Sequence, residues 1–265
     1  MGRYFDNNMS NNPFETHGIE YLSASQINQY ITNPAKWILT VSGFRDNFGS
    51  PAMWRGIAVD QATTESLYRD ISIKRIQNLA KNIFDDKMYE ADQQGIFYDK
   101  TKASKERDAL QIYIDVAVPY FRELGTPIAT QKKIKLEFDE LPIPIIGYLD
   151  LQYEGIVRDI KTVNRMSSVI PASTCRQLAI YAHAEKCKPI IDYVYVTSKT
   201  QEVKSVTVPN LDGYLNEVKR AASNMMNLLS FSDDIVNVAD LVFPNFDAWD
   251  WSENEKEAAR KLWRI

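Results

Sequence analysis

The sequence predicts an α/β fold in which a core of strands and helices is entered through a long helical preface. Helical periodicity dominates up to about residue 124, and short β-rich runs begin near residue 133. The order helices, three strands, helix, two strands, helix then points to one layered α/β core.

Ser23 and Ser25 are N-cap candidates for a helix from Gln26 to Thr40, with Ile27, Tyr30 and Ile31 at helical spacing and Asn33-Pro34 as a break or kink. Further helices are expected at Met53 to Tyr68, Ile73 to Glu90 and Lys102 to Leu124, the last ended by Gly125-Thr126-Pro127. Lys133 to Phe138, Ile143 to Tyr153 and Ile156 to Thr162 are expected as strands, as are Ile190 to Thr197 and Val203 to Val208. Helices are expected at Ala172 to Lys186, Leu211 to Leu229 and Glu253 to Trp263. The implied organisation is a polar arm over residues 1–20 and a single domain over 21–265. Within it, 21–130 is mainly helical, 131–208 forms the α/β core, and 209–265 holds the last helices and tail.

Composition removes several function classes. No apolar run reaches the roughly 20 residues a membrane span needs, and the Asn-rich start has no signal-peptide core. Two cysteines, Cys175 and Cys187, cannot build a disulfide framework or a four-cysteine metal cage, so a reducing, cytoplasmic location is the default. The two histidines, His17 and His183, form no zinc pattern, and no glycine-rich phosphate loop of the P-loop type occurs. The net charge is −4, yet residues 131–204 carry 11 Lys/Arg against 9 Asp/Glu, so a polyanion is tolerated there. The run Lys100, Lys102, Lys105 and Arg107 fits a DNA backbone contact or simply a solvated helix face.

Chemistry concentrates between Gly147 and Thr162. Glu154-Gly155 suits a hairpin tip, and the register it sets places Asp150 opposite Asp159. Tyr148, Asp150, Gln152, Val157, Asp159 and Lys161 then share one face of the sheet. Leu149, Leu151, Tyr153, Ile156, Arg158 and Ile160 share the other, mostly apolar face. Opposed carboxylates repel unless a cation bridges them or one is protonated. A hard divalent ion such as Mg²⁺ resolves the conflict, and Lys161 is placed to orient or deprotonate an attacking water. An acid-x-Lys triplet alone decides nothing, because the chain has four, at 85–87, 159–161, 202–204 and 217–219. Hairpin geometry alone leaves a metal site and a polar sheet face equally open.

These residues resemble the PD-(D/E)XK nuclease superfamily, in particular its RecB-like and phage exonuclease branch. The matching positions are Gly147-x-x-Asp150, Asp159-Ile-Lys161-Thr162 and Gln177-x-x-x-Tyr181, the last two on one helix face. Leu22-Ser-Ala-Ser25 with Tyr30 and Asn33-Pro34 looks like the family's opening helix. Arg55-Gly-Ile-Ala-Val-Asp60 resembles a segment that often ends in His, and Phe243-Pro244 with Trp249 and Trp251 resembles the tail of phage relatives. The resemblance implies a restriction-endonuclease-like core of a mixed sheet flanked by helices, and Mg²⁺- or Mn²⁺-dependent hydrolysis of DNA. Asp150, Asp159 and the Ile160 carbonyl would bind metal, with Asp60 as a further candidate ligand. Lys161 would position the water, with Gln177 and Tyr181 as supporting catalytic residues. Ser23, Ser25, Thr162 and Arg176 are the candidate DNA contacts. Leu149 stands where the superfamily name has Pro. Asn33 and a tail without cysteine remove the ligands some relatives use for an iron–sulfur cluster, so none is expected. Glu137 fits a place beside the site and a surface place equally. The implied activity is a DNA exonuclease for phage-type recombination or DNA-end processing, with a single-strand annealing or single-strand binding protein as candidate partner. Its rivals are a structure-specific or restriction-type endonuclease and a non-catalytic DNA-binding module.

Overall fold

The computed structural model describes residues 12–45, 49–248 and 250–265. In chain order the elements are α1 (Pro13–Thr16), α2 (Ala24–Thr32), α3 (Pro34–Val41), α4 (Pro51–Ser66), α5 (Ile73–Gln93) and α6 (Lys100–Glu123). Strands β1 (Ala129–Leu136), β2 (Ile145–Tyr153) and β3 (Ile156–Val163) follow, then α7 (Ala172–Glu185), β4 (Lys188–Val196) and β5 (Gln201–Thr207). The chain closes with α8 (Leu211–Leu229), α9 (Ile235–Ala239) and α10 (Glu253–Trp263). The sequence predicts all of these but α1 and α9, which are too short to show helical periodicity.

The sheet has five strands in the order β1-β2-β3-β4-β5. It is mixed: β2 and β4 flank β3, antiparallel and parallel respectively, and β5 is antiparallel to β4. The β2–β3 hairpin turns at Glu154-Gly155, where Gly155 takes φ +67°, a conformation glycine adopts without a steric penalty. Its register pairs Leu151 with Arg158, Gln152 with Val157 and Tyr153 with Ile156, as the sequence predicts.

The described residues fall into two compact units. One holds residues 49–134 and 148–211, with α4 to α7 and most of the sheet. Its core joins Trp54, Phe84, Tyr113 and Phe121 of the helices to Leu151, Ile160 and Val194 of the strands. Helices α4 and α6 therefore cover the sheet face that Ile160 looks into, while α7 packs on β3 and β4. Side chains alternate along a strand, so Asp159 and Lys161 project away from Ile160.

The Ile160 face also holds charges. Arg158 Nη1 donates to both oxygens of Asp192 at 2.8 Å, and Ser205 Oγ donates to Asp192 Oδ1 at 2.5 Å. Asp192 is fully buried. Removing one partner of such a pair leaves the other as an uncompensated charge. Asp192→Ala should therefore lower unfolding stability by about 3–5 kcal/mol in a denaturant titration.

The other unit holds residues 12–45, 135–147 and 212–265, residue 249 lying outside the described set. Ser23 and Gln26 form a capping box on α2. Asn33 ends α2, and its Oδ1 accepts the Lys36 N–H at 3.1 Å to cap α3, so Asn33-Pro34 makes a full break rather than a kink. The tail is fixed to this pair: Lys36 Nζ bonds Glu255 Oε2 at 2.8 Å, and Asn33 Nδ2 donates to Asp250. Residues 1–11 of the expected polar arm, and Trp249 of the tail motif, lie outside the described residues.

Candidate active site

Four charged side chains of one unit meet at the hairpin: Asp60 from α4, Asp150 from β2, and Asp159 and Lys161 from β3. One residue beyond the Leu151–Arg158 pair, Asp150 Oδ2 accepts the backbone N–H of Ile160 at 2.9 Å. The carboxylate is thus fixed to the neighbouring strand by a backbone donor. Burial, then the charges of Asp159 and Asp60, hold the Asp150 pKa well above the ordinary carboxylate range despite that bond.

Asp159 is buried, and Lys161 Nζ donates to its Oδ1 at 2.9 Å. Its other oxygen, Oδ2, is buried without a hydrogen-bond partner among the described residues. Burial raises the Asp159 pKa against the opposing pull of Lys161. Burial also works against the Lys161 ammonium, but Asp159 and Asp150 outweigh it and raise that pKa. A buried carboxylate oxygen without a donor needs a compensating ion or water. That orphaned oxygen, beside the half-buried carboxylate of Asp150, is the observation that fits a divalent cation.

Asp60 is the third acid. Gln131 Nε2 donates to its Oδ2 at 2.9 Å, and Thr64 Oγ1 lies 3.5 Å from Oδ1. Burial, then repulsion from Asp159, pushes its pKa up to about 6. Among the described residues no group of three His, Cys, Asp or Glu side chains converges into a metal cage. The cluster instead suits Mg²⁺, which keeps several waters and takes one or two carboxylates from the protein.

Helix α7 closes the site. Gln177 Nε2 donates to the Tyr181 hydroxyl at 2.9 Å, so the pair four residues apart forms a joined unit. Burial raises the Tyr181 pKa, and the charges of Asp159, Asp150 and Lys161 also reach it. Two neighbours escape sequence reasoning. Tyr193 stands beside Lys161 in the parallel β3–β4 register and feels the Asp159 charge, a proximity visible only once strand order is known. Gln131 lies in a polar run with no alternating signal.

The structure places the other candidates less centrally. Thr162 turns toward α4, where Arg55 Nε donates to its hydroxyl at 3.3 Å and Arg55 Nη2 to its carbonyl at 3.2 Å. Arg176 is buried on α7. Ser23 and Ser25 belong to the other unit, their hydroxyls 2.9 Å apart. Glu137, in the same unit as those serines, is exposed and pairs with Lys135 at 2.6 Å. Arg107 is engaged with Asp85 through two hydrogen bonds, which leaves Lys100, Lys102 and Lys105 as the exposed cations of that run.

The sequence matches the PD-(D/E)XK nuclease superfamily over residues 21–235. A solved protein from Eubacterium rectale, assigned provisionally as an exonuclease, superposes with a TM-score of 0.54 at 16% identity. The match covers 97% of this chain and 93% of that one, and at this identity it shows the fold alone. The solved structure of SSO0001 matches at a TM-score of 0.33 and 12% identity over 64% of this chain and 85% of that one, and carries no argument. None of the curated proteins compared matches the sequence. No helix among the described residues is long and apolar enough to cross a membrane.

Proposed function

We propose that this chain, which belongs to the PD-(D/E)XK nuclease superfamily, is a divalent-metal-dependent DNA exonuclease of the RecB-like and phage type. The observation that carries the proposal is the buried Asp159 carboxylate, one oxygen on Lys161 and the other unpartnered, beside Asp150. A non-catalytic binding module has no use for acids packed at this electrostatic cost.

Asp150 and Asp159 would hold the cation, with Asp60 as a third acid nearby. Ile160 would add its carbonyl: a strand residue directs its N–H and C=O to the same side, and the Ile160 N–H already meets Asp150. When bound, Mg²⁺ or Mn²⁺ supplies charge neutralisation at the phosphate and an activated water. Lys161 orients that water and offsets the charge that builds on the phosphoryl oxygens. A water oxygen attacks phosphorus and gives up one proton to solvent, the P–O bond to the departing nucleotide breaks, and the freed oxygen takes a proton from solvent. Gln177 and Tyr181, joined by their hydrogen bond, keep the α7 side of the site in place.

The setting we propose is DNA-end processing in phage-type recombination, in a bacterial cytoplasm, alongside a single-strand annealing or single-strand binding protein. The experiment is release of acid-soluble nucleotides from linear DNA. It should require Mg²⁺, stop with EDTA and resume when Mg²⁺ is restored. Release that continues in EDTA refutes the metal requirement.

A further inference from the structure

We propose that Gln131 is a positioning residue that holds Asp60 toward the metal-binding carboxylates, and that its left-handed backbone exists to aim it there. The inference rests on the proposed role of Asp60 beside the metal. Gln131 lies within β1, yet takes φ +46°. A non-glycine residue with such a φ is uncommon, and Gln lacks the short side chain that makes Asn and Asp tolerable there. A left-handed residue inside a strand redirects its side chain, as a bulge does beside an active site.

The redirected amide is aimed at Asp60: Nε2 donates to Asp60 Oδ2 at 2.9 Å. Gln131 is exposed, so burial of its own side chain does not repay the strained backbone. Asp60, by contrast, sits within reach of the Asp159 charge and is repelled by it. A carboxylate repelled by its neighbours turns outward unless a donor fixes it. Gln131 supplies that donor from the neighbouring strand, and Thr64, at 3.5 Å, is a weak second one.

Calorimetric titration with Mn²⁺, joined to thermal unfolding, tests this on the whole chain. Gln131→Gly keeps the backbone and deletes the amide. Gln131→Asn suits the left-handed backbone better, but its amide is one carbon too short to reach Asp60. Both variants should unfold no earlier than the wild type and bind Mn²⁺ roughly fivefold or more weakly, the worth of one lost hydrogen bond. Asp60→Asn should weaken binding too, and Gln131→Gly should add nothing in that background, because the two act through one group. Wild-type Mn²⁺ affinity in Gln131→Gly, with weakened binding in Asp60→Asn, overturns the role of Gln131 and leaves Asp60 as a ligand. Unchanged binding in Asp60→Asn, while Asp159→Asn loses it, overturns the inference but leaves the nuclease proposal standing. No Mn²⁺ binding by the wild type overturns both.

Discussion

Replacing Asp159 with asparagine is expected to abolish cleavage while leaving the metal-free protein at least as stable as the wild type. The two halves of this result have one cause. Asp159 is buried, and its Oδ2 meets no donor among the described residues, so the ionised carboxylate is a liability when no cation is bound. The direction of its pKa agrees. Burial raises it in the folded chain, so ionisation subtracts from stability, an effect absent well below the ordinary carboxylate range and growing as pH rises through it. Asparagine keeps the volume and removes the charge. Against this stands the lost ion pair with Lys161, whose side chain is partly exposed and can rehydrate. Function moves the other way. A catalytic metal is worth several kcal/mol of transition-state stabilisation, so its loss slows cleavage about a thousandfold or more. Thermal unfolding without metal and a cleavage assay with Mg²⁺ check both halves. A residue kept for packing alone would show the opposite pattern, losing stability and sparing activity. Lys161→Ala should retain Mn²⁺ binding and slow cleavage by about 10²–10⁴-fold, the range of a lost acid–base or water-positioning group.

The second large effect concerns DNA form. Linear duplex should be shortened progressively from its ends, while covalently closed circles of the same sequence persist. The motivation is the proposed RecB-like reading of the motifs together with the layer of α4 to α6, which shares a unit with the site and gives it Asp60. An enzyme that admits a strand from its terminus grips phosphates rather than base edges, so digestion should be tolerant of sequence and fall steeply with salt. Lys100, Lys102 and Lys105 at the exposed start of α6 are suited to that grip. A restriction-like endonuclease would give discrete internal fragments from either form. Rapid linearisation of closed circular plasmid by the wild type, absent with Asp159→Asn, would promote that alternative.

Much of the fold and site is legible in the sequence, because local rules act there unopposed. The hairpin follows from Glu154-Gly155, and the observed pairs keep the register that sets Asp150 near Asp159. The Asn33-Pro34 break follows from proline chemistry and a capping amide. What escapes is whatever depends on strands distant in sequence. Alternation puts Arg158 on a mostly apolar face, where Asp192 of β4 pairs with it and Ser205 of β5 donates to Asp192, and no local pattern announces such a network. Tyr193 reaches the site only through the parallel β3–β4 pairing. Gln131 is invisible for a different reason: its backbone conformation runs against its own preference, and only the Asp60 contact gives that cost a purpose. Thr162 sits next to Lys161 in sequence, yet alternation along β3 turns it to Arg55 on the opposite face.

The most direct test of the central claim, that Asp150 and Asp159 hold the cation that cleavage needs, is a single Mn²⁺ titration. Metal binding and cleavage of end-labelled linear DNA are followed in the same samples of wild type, Asp150→Ala and Asp159→Asn. In the wild type, binding and cleavage should rise over the same range of Mn²⁺ concentration. In both variants, each correctly folded by circular dichroism, neither should appear. Full cleavage by either variant, or wild-type cleavage that precedes any metal binding, would contradict the account.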